Sequence, residues 1–228
     1  LAHAWSHARF CRETTQKIDI RVIDCAAAVL IPINPTYPEP RKVKRAVDAL
    51  RDDAIIAYPT DATYALGCAL SSKHAIDRLY VVKGMKRTQP LSLICPDLSD
   101  IARYALVDNQ AYRLLRRLLP GPYTFILPAT REVPRALLSK QKTVGLRVPA
   151  HPVPIAIVRE LGCPLVTTTA GDPNGGEPLV DPDDIDARFG GLAMVIDAGL
   201  GGVEPTTVID LVESRVVREG AGPVDDLF

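Results

Sequence analysis

Hydrophobic and polar positions switch between two periods along this chain. From Val29 to Ile33 apolar residues run almost unbroken, which predicts a short strand, and Pro35, Pro38 and Pro40 follow as a stiff connector. Val43, Ala46, Val47 and Leu50 then recur at three- and four-residue spacing, so 40–52 reads as a helix. Ala54 to Tyr58 is a buried strand stopped by Pro59-Thr60-Asp61, and Tyr64 to Cys68 resumes extended structure. Ser71 or Ser72 caps a helix whose inner face carries Ile76, Leu79 and Val82 or Lys83. Leu91 to Cys95 is a strand. Asp108 caps a helix with Ala111, Leu114, Leu115 and Leu118 inward, broken by Pro120-Gly121-Pro122. Tyr123–Leu127, Thr143–Val148, Leu165–Thr169, Met194–Asp197, Thr207–Leu211 and Arg215–Arg218 read as strands, with helices over Pro152–Leu161 and Pro182–Phe189.

Strands and helices are interspersed but do not alternate strictly. The expectation is an α/β (α+β) fold: one domain built on a twisted, open, mixed sheet flanked by helices. The domain is expected to span 28–228. Residues 1–27 open on Leu1, are rich in Arg and His, and read as an N-terminal extension that is disordered or atypical. Gly171–Pro178 and Gly199–Gly202 are the best candidates for loops at the rim of a site.

Composition narrows the function. Basic and acidic residues number 27 each, for a net charge of +0, which disfavours a strongly basic nucleic-acid binder but leaves local patches open. No apolar run approaches the ~20 residues of a membrane helix. The 5 cysteines form no CxxC pair, which points to a reducing, cytoplasmic compartment and away from structural zinc or a disulfide framework. Walker A, GxGxxG, HExxH and GxSxG signatures are all missing. His74 reads as exposed, and His151 as a structural residue of a Pro-rich turn.

What remains is a recurring theme of hydroxyls and cations at strand ends. Thr60, Thr124, the run Thr167–Thr169, Thr206, Thr207, Arg147 and Arg218 lie at such ends, and Lys83, Lys86 and Arg87 follow a helix. These are the groups an anionic ligand needs where no glycine-rich loop supplies backbone donors.

The run Tyr58-Pro59-Thr60-Asp61-Ala62-Thr63-Tyr64-Ala65-Leu66-Gly67 resembles the YPT[ED]xxYxLG opening of the YrdC-like family. Pro120-Gly121-Pro122-Tyr123-Thr124, Arg147-Val148-Pro149-Ala150-His151-Pro152, Pro164-Leu165-Val166-Thr167-Thr168-Thr169-Ala170 and Pro205-Thr206-Thr207 with Arg218-Glu219-Gly220 continue the likeness in order over about 28–228. Asp61 in place of Glu, and Glu132-Val133-Pro134-Arg135, are similar to the YciO branch. The resemblance implies a concave, basic sheet face. It also implies a nucleotidyltransferase that makes threonylcarbamoyl-AMP and pyrophosphate from L-threonine, bicarbonate and ATP with Mg²⁺ held by the phosphates, for threonylcarbamoyladenosine formation in tRNA. The alternative it carries is a non-catalytic paralog that binds double-stranded RNA or tRNA. Thr60, Arg147 and Thr167 would serve the amino-acid side. Lys83, Lys86, Arg87, Thr124, Thr169, Thr207 and Arg218 would serve the nucleotide and its phosphates, AMP included. No catalytic residue and no protein metal ligand is implied.

Two positions depart from the synthase pattern. A KxR element becomes Lys83-Gly84-Met85, and an SxN element becomes Thr169-Ala170-Gly171. Losing a charge-assisted contact costs roughly 1.5–3 kcal/mol, so these changes predict weakened synthase turnover.

Overall fold

A computed structural model describes residues 27–172, 176–225 and 227. The extension expected over 1–27 lies, apart from Ala27, outside the described residues.

The elements run β1 (Val29–Pro32), α1 (Pro40–Arg51), β2 (Ile56–Tyr58), β3 (Ala65–Ala69), α2 (Lys73–Lys83), β4 (Ser92–Ile94), α3 (Leu98–Tyr104), α4 (Asn109–Leu118), β5 (Tyr123–Pro128), a 3₁₀ turn (Arg135–Leu137), β6 (Thr143–Arg147), α5 (Pro152–Leu161), β7 (Leu165–Thr169), α6 (Pro182–Arg188), β8 (Met194–Asp197), β9 (Thr207–Asp210) and β10 (Arg215–Arg218). The strands form a single 10-stranded sheet in the order β1-β8-β2-β3-β7-β4-β6-β5-β9-β10. The sheet contains both parallel pairs (β1–β8, β4–β6) and antiparallel ones (β3–β7, β5–β6), so it is mixed as expected. The helix α3 and the 3₁₀ turn were not expected from the sequence. The 7-residue α3 is too short for a periodic signal; the Asp97 side chain caps it and Ile101 and Tyr104 hold it down.

Successive strand residues point to opposite faces. One face carries Ala57, Leu66, Cys68, Val166, Leu93, Leu146 and Phe125 and is closed by α2, α3, α4 and α6. The other carries Ile56, Tyr58, Ala65, Leu165 and Ile94 where α1 and α5 pack on it. The rest of that second face changes chemistry. Gly67, Thr167, Ser92 and Gly145 sit opposite one another in a row across β3, β7, β4 and β6. Ser92 and Gly145 are only half-buried. On this second face, where α1 and α5 cover it the strands are apolar; where they stop, the strands turn to Thr, Ser, Gly and Arg.

Candidate functional site: a cationic stretch of the open sheet face

The centre of this stretch is Arg147, the last residue of β6. Its Nη2 donates to Thr60 Oγ1 at 3.1 Å and to Asp61 Oδ1. Asp61 Oδ2 accepts from the Ala150 N–H at 2.9 Å, so the carboxylate is fixed from both sides. The side chains of Arg147 and Asp61 are only 8% and 11% exposed, which makes the pair dry and well defined. Both Nη2 hydrogens are therefore engaged, while Nε is buried with no partner. An unsatisfied buried donor costs about 1–3 kcal/mol, which an acceptor brought by a ligand or an ordered water would relieve. Thr60 is shaped by its own turn: its hydroxyl donates to Thr63 O at 2.6 Å and receives the Ala62 N–H at 3.2 Å.

Beyond β5 the pattern continues. Phe125 lies opposite Leu146, so Thr124 and Arg147 fall together on the other, open face. Thr124 Oγ1 lies 3.1 Å from Thr206 Oγ1. Arg218 grips the Thr206 carbonyl through Nε and Nη2 at 3.1 and 2.8 Å and reaches Thr206 Oγ1 at 3.2 Å. Burial, and then the Arg147 charge, lower the pKa of Arg218. Thr60, Thr124, Arg147 and Arg218 thus meet in one cationic group.

Thr207 does not join it. Next to Thr206, it points to the opposite face, fully buried. Its hydroxyl donates to Gly222 O at 2.6 Å and receives the Gly220 and Gly222 N–H groups at 3.0 and 3.1 Å. The hydroxyl anchors the C-terminal turn, and Thr206 is the member of the pair that faces Thr124 and Arg218. The sequence shows two adjacent threonines; only strand parity separates them. Thr167 faces the site, but its hydroxyl receives Tyr58 OH at 2.7 Å and donates to Leu66 O at 3.3 Å. Gly67 makes room for that bond, because a Cβ there would come within 2.9 Å of the Tyr58 ring. Thr169 shares the Thr167 face and is half-buried, whereas Thr168 turns the other way and donates to Met85 Sδ at 3.6 Å.

Lys83 approaches from the helix-covered side. It is 4% exposed, the Nζ donates to Gly171 O, and it lies 5.5 Å from the Phe189 ring centroid. Burial pushes its pKa down to about 8, with Asp172 opposing and Arg188 adding to the shift. Lys86 and Arg87 do not accompany it. Both are exposed, and Arg87 pairs with Asp77 and lies over the Tyr80 ring at 5.2 Å. Gly171 is fixed by packing: a Cβ there would press on Glu177 O and Pro178 Cα at 3.1 Å, so an asparagine would have to displace that bridge. His151 has the structural role expected, since its Nδ1 caps α5 by accepting the Val153 N–H at 3.2 Å. Burial lowers its pKa, which favours the neutral ring needed to accept there.

Asp61 was not among the candidate residues, although its place inside the Tyr58–Gly67 run was the available signal. A cavity of about 850 Å³ lies elsewhere, between α4 and β5, lined by Leu106, Leu114, Leu127 and Leu211 with Arg113 and Arg117. None of the predicted residues lines it. We place the site on the open face rather than in this hollow, because there the buried Arg147, with its unmet donor, comes together with Arg218. No helix among the described residues is long and apolar enough to cross a membrane.

Residues 48–220 match the Sua5, YciO and YrdC family, described as "Telomere recombination". The uncharacterized protein YciO of Escherichia coli K12 is 41% identical over 196 residues, covering 84% of this chain and 95% of YciO. The crystal structure of E. coli YciO superposes with a TM-score of 0.84 at 40% identity, over 88% of this chain and 100% of that one. The threonylcarbamoyl-AMP synthase of Chromobacterium violaceum is 36% identical over 186 residues, 81% of this chain and 96% of the synthase. The crystal structure of P. abyssi Sua5 complexed with L-threonine has a TM-score of 0.81 at 26% identity, over 88% of this chain and 60% of that chain.

Proposed function

We propose, for a chain that belongs to the Sua5/YciO/YrdC family, that the open cationic face binds ATP and L-threonine and carries out nucleotidyl transfer of the threonylcarbamoyl-AMP synthase type. The observation that carries this reading is Arg147: buried, aimed by Asp61 and Thr60, and left with an unmet Nε donor. The relatives named threonylcarbamoyl-AMP synthase and the Sua5 structure with L-threonine support it.

In this reading the threonine amine and bicarbonate give a carbamate with loss of water. A carbamate oxygen attacks the α-phosphorus of ATP, the bond to the bridging oxygen breaks, and pyrophosphate leaves. The protein's part is positioning and charge neutralisation. The Arg147 fork and the Thr60 turn hold the amino acid, with Thr167 beside them. Thr124, Thr206, Thr169 and Arg218 line the nucleotide side. Asp61, with both oxygens engaged, keeps Arg147 aimed and offers no free carboxylate for a metal. Mg²⁺ comes into this reading on the triphosphate, where it would neutralise the phosphate oxygens. The product would feed threonylcarbamoyladenosine formation in tRNA, in the cytoplasm.

The test is pyrophosphate release by the purified protein. Release should need ATP, L-threonine and bicarbonate together; release without threonine dependence, or none, refutes the reading. A second reading, a non-catalytic binder of double-stranded RNA or tRNA, draws on Met85, which packs against Thr168 and brings no charge. It requires RNA binding that weakens steeply with salt as counterions are released; a flat salt response rejects it.

A further inference from the structure

We propose that Arg188, the last residue of α6, is the second cation of a phosphate-binding corner built on Phe189 and Lys83, and that this corner takes the pyrophosphate portion of a nucleoside triphosphate. The choice of ligand rests on the nucleotidyl-transfer reading; the corner itself does not.

Two cations converge on one ring. Lys83 Nζ lies 5.5 Å and Arg188 Cζ 5.4 Å from the Phe189 centroid. Phe189 is 2% exposed, so the platform is rigid. Each cation gains from the ring face, but the two repel each other. Such a pair is normally neutralised by a carboxylate, yet among the described residues Arg188 forms no hydrogen bond or ion pair. The Lys83 ammonium donates to a neutral carbonyl, that of Gly171, which leaves two of its three N–H groups. Asp172 is the acidic group whose charge Lys83 feels. A dry point charge beside an exposed planar fork, with no ion pair closing them, matches a dianionic phosphate better than a single carboxylate.

Gly171, whose carbonyl holds Lys83, lies just beyond the end of β7. Gly171 follows Ala170, whose N–H donates to Tyr64 O at 2.8 Å, and Tyr64 closes the turn that begins at Thr60. Arg188 comes from a helix 105 residues after Lys83 (188 minus 83), which is why no local motif shows it. It provides a cation where Met85 brings none.

Titration calorimetry with inorganic pyrophosphate and, separately, with AMP tests this. The native protein should bind pyrophosphate. Arg188→Ala should weaken that binding by about tenfold or more, and Arg188→Lys should restore part of it. AMP affinity and the melting temperature should stay unchanged, since AMP lacks the pyrophosphate portion that Arg188 would hold and Arg188 is exposed. Failure of the native protein to bind pyrophosphate, or unchanged binding in Arg188→Ala, overturns the proposal. Arg188-dependent binding without threonine-dependent pyrophosphate release would uphold the corner and refute the reaction.

Discussion

Two cationic groups flank the end of the same sheet, and they are held in opposite ways. Arg147 is gripped by a carboxylate, a hydroxyl turn and the start of α5. Lys83 and Arg188 are gripped by a carbonyl and an aromatic ring, with no carboxylate hydrogen-bonded to them among the described residues. The first arrangement fixes direction: Asp61 uses one edge of the guanidinium and leaves Nε unmet. The second leaves charge unneutralised and lets burial tune it. Orientation suits a substrate whose reacting atom must be placed; unneutralised charge suits a leaving phosphate that must be held and then released.

The contrast breaks most severely at Arg147. Arg147→Ala strands Asp61 as an unpaired buried charge, so a loss of about 3–5 kcal/mol is expected in denaturant unfolding. Because the variant could unfold outright, Arg147→Lys is the companion: it keeps the charge, removes the fork, and should remain folded while threonine and ATP binding falls by about tenfold or more. Full affinity in a folded Arg147→Lys would show that orientation is not what this group supplies.

pH separates the two groups next. The Lys83 pKa is about 8, so pyrophosphate affinity should fall as pH rises through about 8, with Asp172 and Arg188 as the charges facing it. Stability should move the other way. The ordinary lysine value is 10.5, so between about 8 and 10.5 the unfolded chain holds more protons and stability rises with pH. Lys83→Met should remove both trends; persistence of the affinity trend would assign it to another group.

Smaller effects sharpen the picture. Met85→Arg places a third cation near Thr168 and should raise pyrophosphate affinity several-fold; a fall would mean the new charge only adds repulsion. Thr207→Val should cost about 2 kcal/mol in thermal or denaturant unfolding, since it strands the Gly220 and Gly222 N–H groups, yet leave ligand affinity unchanged. Lost affinity there would move the site to the other face.

These features differ in how far the sequence exposes them. The mixed sheet was legible because apolar runs between Pro and Gly breaks are local signals, and so were α1 and α5, with inward faces such as Val43, Ala46, Val47 and Leu50. The helix α3 was not, being 7 residues long. At the site, Thr60 and Arg147 announced themselves by motif, but Thr206 and Thr207 are alike in sequence and differ only in which face the pleat gives them. Arg87 looked like a free cation because Asp77 and Tyr80, which hold it, lie on the preceding helix. Arg188 and Asp61 act through partners far away in the chain, a relation that only the fold creates.

In the proposed function the ligands bind on the uncovered polar stretch of the sheet, centred on Arg147. Calorimetric titration of ATP into the native protein and into folded Arg147→Lys, each with and without L-threonine, tests it most directly. Threonine should tighten ATP binding in the native protein, and the variant should lose both the affinity and the coupling. Equal ATP affinity and equal threonine coupling in the two proteins would contradict it.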